Sequence, residues 1–202
     1  MRRLMIVVLV LAACSTDAVP EERPTSSTTT TTSATTATTV QPLTTTTTAT
    51  TTPSAFDVSS PAFADGEEIP REFTCDGADV SPRLHVVGIP STTESLLVIV
   101  EDPDAPLGTW YHWVEFDIVP ESSTRDIPRD AWSIGTEGAN SWNLAGYRGP
   151  CPPEGEEHRY VFKIFALTER LDLPEGVEAP VVYAAMEDRV IAATELTGTY
   201  AR

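Results

Sequence analysis

The chain has 202 residues and a formal charge of −17, with 13 Lys and Arg set against 30 Asp and Glu. That balance excludes a nucleic-acid partner, which needs clustered cations along a phosphate backbone, and no run of ~18 apolar residues is present to form an ordinary membrane-spanning helix. Between Thr25 and Thr52, 18 of 28 residues are Thr and none is charged, so this stretch has too little apolar surface to offset chain entropy.

At the N-terminus, Met1-Arg2-Arg3 precedes the apolar run Leu4 to Ala13 and then Cys14. Basic residues before a short hydrophobic stretch and small residues mark a secretory signal. Leu11-Ala12-Ala13-Cys14 resembles the bacterial lipoprotein signal, in which the Cys thiol is acylated and becomes the first residue of the mature chain. Residues 1–13 are therefore expected to be a lipoprotein signal peptide and Cys14 its lipidation (palmitate-bearing) site. That puts the protein on the extracytoplasmic face of the bacterial cell membrane. Residues 14–54 are expected to form a disordered Thr-rich stalk, bare or O-glycosylated, that holds the remainder away from the bilayer. With Cys14 lipidated, Cys75 and Cys151 are left as an even pair in an oxidising compartment, either bonded to each other or present as two buried thiols.

Residues 55–202 hold all the aromatic residues and are long enough for one core. Ser95 to Val100 is a nearly all-apolar run, as for a strand buried on both faces. Trp113 to Val119 alternates, with Trp113, Glu115, Asp117 and Val119 facing one way and Val114, Phe116 and Ile118 the other. Arg159 to Leu167 alternates similarly, and Leu84 to Val87 and Gly198 to Tyr200 are weaker strand candidates. Pro and Gly between these runs favour an antiparallel or mixed sheet with long connections. Val182, Met186, Val190 and Ala193 recur at helical spacing from Pro180 onward. The expected fold is mostly β, a sandwich-like core with a late helix.

Three polar clusters sit beside these strands. Asp102-Pro103-Asp104-Ala105-Pro106 follows the buried strand, and its prolines fix φ and hold the carboxylates on a rigid turn. Trp110-Tyr111-His112-Trp113 leads into the next strand. Gly149-Pro150-Cys151-Pro152-Pro153 precedes His158-Arg159-Tyr160 at another strand start. Two of the chain's 3 His residues fall in these clusters. No Gly-x-Ser-x-Gly, phosphate-binding Gly-rich loop or activated Cys accompanies them, so ligand binding rather than turnover is expected, with no cofactor and no bound metal.

In order and spacing, Phe73-Thr74-Cys75-Asp76-Gly77, Ser81-Pro82, the Asp-Pro-Asp-Ala-Pro turn, His112-Trp113, Gly149-Pro150-Cys151-Pro152-Pro153, His158-Arg159-Tyr160 and Leu196 to Tyr200 resemble the phosphatidylethanolamine-binding protein family, nearest its bacterial Raf-kinase-inhibitor-like branch. The resemblance runs from about Phe56 to Arg202. It implies an antiparallel β-sandwich with a few peripheral helices, one of them C-terminal, and a small anion pocket at one end. Carried over by motif, the pocket is formed by Asp102, His112, Pro152, Pro153, His158 and Tyr160, with Trp110 as a wall and Asp104 on the same turn. The implied ligand is phosphate or a phospholipid headgroup. A Cys75–Cys151 bridge would tie the first loop to the pocket rim.

Three other readings of the same residues stand beside this one. Asp102, Asp104, His112 and His158 could serve a metal-dependent hydrolase as a two-His, carboxylate set. The domain could be an inhibitor or interaction module with a secreted protease or other protein as its target. The polar residues could also form a buried network that only fixes the loops.

Overall fold

A computed structural model describes residues 54–202; residues 1–53, which include the expected signal segment, Cys14 and nearly all of the expected stalk, lie outside the described residues. In chain order the elements are β1 (Asp57–Ser59), β2 (Leu84–Val87), β3 (Ser95–Asp102), β4 (Trp110–Ile118), β5 (Thr124–Ile127), β6 (Thr136–Glu137), β7 (Glu157–Leu167), α1 (Ala179–Met186) and β8 (Val190–Ala201), with a single 3-10 turn at Arg71–Phe73. The strands form two antiparallel sheets, β1-β2-β5 and β6-β4-β3-β7-β8.

The apolar run of β3 sits at the centre because its two faces serve two cores. Leu96, Val98 and Val100 pack with Phe162, Ile164, Val86 and Leu84 between the sheets. Leu97 and Ile99 point the other way and pack with Val114, Phe116, Val182 and Met186 beneath α1. All five apolar residues from Leu96 to Val100 are fully buried, each contributing about 1.5–3 kcal/mol through removal of apolar surface from water. The mostly β, two-sheet architecture is the one expected from the sequence. No described helix is long and apolar enough to cross a membrane.

Several local expectations change. The helical spacing of Val182, Met186, Val190 and Ala193 ends halfway: α1 stops at Met186, the chain turns with Arg189 N–H donating to the Met186 carbonyl (2.8 Å), and Val190 and Ala193 lie on β8 opposite Leu167 and Phe165. Val190, Ile191, Thr194, Thr197 and Thr199 are β-branched and fit a pleated surface, so β8 runs for 12 residues where only Gly198 to Tyr200 was expected. The single described α-helix is thus followed by the last strand. On β4 the expected alternation breaks at Asp117, whose φ of 58° and the register slip beside it turn Ile118 to the Trp113 side, away from Val114 and Phe116, and neither face is wet. Glu115 and Asp117 are buried along with Val114 and Phe116, because the small sheet covers one face and α1 the other. Val119 falls outside the strand and is exposed. Strands β1, β5 and β6 are too short and polar to show a periodic signal.

Candidate functional site

Alternation along β7 places His158, Tyr160, Phe162 and Ile164 on one face, and all four are buried. Phe162 and Ile164 belong to the core between the sheets. His158 and Tyr160 extend the same row to the end of the sheet, where β3 finishes at Asp102 and β4 begins at Trp110. The pairing of β3 with β4 slips between Val100 and Glu101. Val100 faces Trp113 and Glu101 faces Tyr111, so His112 is the extra residue of a β-bulge. A bulge re-aims a side chain at the cost of one ladder position, and it lets His112 and Trp113 both leave the α1 side. The His112 ring stands edge-on to Tyr160, with centroids 5.1 Å apart.

These residues close the inner end of a pocket of about 260 Å³. Asp102, His112 and His158 supply its polar lining, Trp110 and Trp142 its aromatic walls, and Leu107, Cys151 and Pro153 part of its rim. Trp142 packs edge-on against both Trp110 and His112, at 5.3 and 5.1 Å.

A chain of directed hydrogen bonds fixes the polar end. The Asp102 carboxylate accepts from Asp104 N–H (2.9 Å) through Oδ1 and pairs with His158 Nδ1 (2.7 Å) through Oδ2. His158 Nε2 meets Glu156 Oε2 at 3.1 Å. Burial works to lower the His158 pKa, but the bonds to Asp102 and Glu156 outweigh it and the net shift is upward. His112 behaves oppositely. Burial pushes its pKa down, only partly offset by its bond to a backbone carbonyl. Its Nδ1 donates to the Arg148 carbonyl (2.7 Å), so the neutral ring leaves Nε2 as a lone-pair acceptor for a ligand's own N–H or O–H. The Tyr160 hydroxyl and the Trp110 indole N–H are buried without a hydrogen-bond partner. Burial, then the Asp102 charge, drives the Tyr160 phenol far above its ordinary pKa, so it remains a donor.

The rim is held from the far side of the chain. Cys75 and Cys151 are bonded, with Cα atoms 5.5 Å apart and a sequence separation of 76. In a chain-entropy account, closing a loop of that length stabilises the fold by up to about 4 kcal/mol. Beside the bridge, Cys75 N–H donates to the Pro150 carbonyl (3.1 Å), Tyr147 Oη to the Phe73 carbonyl (2.8 Å) and Gly149 N–H to Asp79 Oδ1 (2.6 Å). A Cβ on Gly149 would lie 2.2 Å from the Phe73 oxygen, so only glycine allows this approach.

Not every expected residue lines the pocket. Asp104 turns away and grips Arg159, accepting from its backbone N–H and guanidinium at 2.6–2.9 Å; that grip holds its carboxyl down at about 2. Pro152 is buried behind the rim while Pro153 is exposed on it, and Tyr160 lies beneath His112. The two-His, two-carboxylate metal set does not assemble: Asp104 is spent on Arg159, and no group of three or more His, Cys, Asp or Glu side chains is placed to hold a metal ion among the described residues. Trp142 and Glu156 are pocket neighbours that sequence reasoning missed. A tryptophan in the polar loop Asn140-Ser141-Trp142-Asn143 was the one available hint.

The family model described as phosphatidylethanolamine-binding protein matches residues 59–201. The UPF0098 protein of Aquifex aeolicus is 42% identical over 153 residues, covering 72% of this chain and 88% of that one. That of Methanothermobacter thermautotrophicus is 43% identical over 146 residues, covering 70% and 95%. Among solved structures, a phosphatidylethanolamine-binding protein homologue from Chlamydia trachomatis is 37% identical with a TM-score of 0.68, covering 73% of this chain and 98% of that chain. Escherichia coli YbcL, described as a new member of the mammalian family, is 30% identical with a TM-score of 0.67 at the same coverage.

Proposed function

Given that this chain belongs to the phosphatidylethanolamine-binding protein family, we propose that its domain is a non-catalytic binding protein whose pocket takes a small phosphate-bearing headgroup, phosphate itself or a phosphoethanolamine-like group. The observation that carries this reading is the meeting of Asp102, His112 and His158, from three strand ends, at the inner end of one pocket. A protonated His158 offers charge-assisted donation to an anionic oxygen. Trp110, on the pocket wall, brings an indole N–H that has no protein partner, and such a group costs free energy until a ligand or water satisfies it. The aromatic walls and the Pro153 rim suit a slim headgroup with its chain left outside. Nothing near His158 resembles a nucleophile poised for attack: the one nearby sulfur, Cys151, is in the disulfide.

We further propose that the domain works outside the cytoplasm, lipid-anchored through Cys14. The basic, apolar and small-residue run Met1 to Cys14 supports this, as does a disulfide suited to an oxidising compartment. Calorimetric titration of the purified protein with inorganic phosphate and with phosphoethanolamine tests the pocket. Binding is expected, and His158→Ala should weaken it about tenfold or more through loss of one charged hydrogen bond. Affinity unchanged by that substitution removes the assignment.

A further inference from the structure

In the ligand-free protein the donor best suited to an anion is already taken. His158 is almost fully buried and spends Nδ1 on Asp102, so Nε2 is its only other contact, and Glu156 Oε2 sits 3.1 Å from it. The Glu156 backbone cannot leave. Its N–H donates to the Pro153 carbonyl (3.1 Å), its carbonyl accepts from Arg202 N–H (3.3 Å), and Glu157 beside it pairs with Ala201 in the β7–β8 ladder. Its side chain is different, being 54% exposed, and a half-solvated pair of this kind is held weakly. The contact therefore has a fixed hinge and a loose end.

Among the described residues, the two nearby arginines are already engaged and do not receive that carboxylate. Arg159 is committed to Asp104 at 2.6 Å. Arg202 faces Asp76 at 3.1 Å, with its other nitrogen against Cys151 Sγ. Around the His158 ring, two carboxylates, Asp102 and Glu156, face one imidazole.

We propose that Glu156 is an internal competitor at the ligand's own donor: its carboxylate must swing off His158 Nε2 before a phosphate oxygen can bind there, and because its backbone stays tethered beside His158 it selects ligands that carry their own ammonium, zwitterionic phospho-amine headgroups over bare phosphate monoesters. This rests on the anion-pocket reading above and adds a residue and a selectivity to it. A monoester alone would place its charge beside the displaced carboxylate. A headgroup with phosphate and ammonium two carbons apart exchanges partners, its phosphate taking Nε2 and its ammonium meeting Glu156.

The test uses two esters that differ only in the ammonium, phosphoethanolamine and ethyl phosphate, titrated calorimetrically into the wild-type protein, Glu156→Gln, Glu156→Ala and His158→Ala. The wild type is expected to prefer phosphoethanolamine about two- to fivefold, the range of one exposed charge pair. Both Glu156 variants should bind ethyl phosphate tighter and bring the ratio near one. A merely structural Glu156 would shift both ligands together and keep the ratio. If the ratio survives in both variants while His158→Ala weakens both ligands, the competitor role is overturned and the pocket stands. If neither ester binds wild type or Glu156→Gln, the pocket reading falls and the selectivity falls with it.

Discussion

His158 is the residue on which the pocket's electrostatics turn. Its pKa is raised in the folded protein, so the stabilisation from its carboxylate partners is complete below the unfolded value and is lost as pH rises through the folded one. Ligand binding should follow the same sign. With Asp102 holding Nδ1–H, the proton that leaves is the one on Nε2, and the donor becomes a lone pair that repels anions. Sulfate keeps its charge across this range, so its affinity should fall by up to about tenfold per pH unit above the His158 pKa, and Asp102→Asn should move the midpoint downward. A flat calorimetric profile from pH 5 to 9 would contradict the role. Asp102, His112 and His158 could be picked out in the sequence because rigid Pro turns and aromatic strand starts flank them. Glu156 could not, since a Glu before a strand reads as solvated surface until the fold brings its side chain to a buried imidazole.

Among the elements, β4 departs furthest from its sequence pattern, and the departure is energetic. Glu115 on β4 faces Glu137 on β6, and both are buried. Burial and then the neighbouring Glu137 push the Glu115 pKa up to about 7, and burial raises Glu137 as well. Each still anchors the intervening loop, Glu115 accepting from Gly135 N–H (2.7 Å) and Glu137 from Ser133 N–H (3.1 Å). A carboxyl that holds its proton more tightly when folded loses stability as pH climbs from the unfolded value near 4.5 to the folded one. Glu115→Gln keeps the acceptor and removes the charge, so it should raise thermal stability at pH 8, by at most about 3 kcal/mol, and change little at pH 5. Melting curves at the two pH values check this, and an equal shift at both contradicts it. The period-2 pattern identified β4 correctly but put Ile118 on the wrong face, because strict alternation cannot foresee the slip at Asp117 and shows nothing of what covers each face. The same limit explains α1 and β8: apolar residues three and four apart look helical even where a turn at Glu187 to Arg189 intervenes and β-branched residues take over.

At the scale of the whole molecule, a strongly acidic domain is expected to find the membrane through one covalent attachment. Its charge of −17 opposes electrostatic adsorption to anionic lipid, so Cys14→Ser should release the protein from a carbonate-washed membrane fraction into the soluble one; retention would overturn the anchor. Domain-level architecture was legible because buried strands have few alternatives to pairing, and β3 with its two-faced core follows from Leu96 to Val100 alone. Which loops would meet at the sheet end was not, since that depends on strand order and on the bulge at His112.

The Cys75–Cys151 bridge has a consequence for anyone who handles the protein. It fastens the segment carrying Pro152 and Pro153, and so makes one side of the pocket mouth a property of thiol oxidation rather than of sequence alone. Reduced and oxidised material would differ at that side of the pocket while sharing one primary structure. A free-thiol count therefore belongs ahead of any affinity compared between preparations.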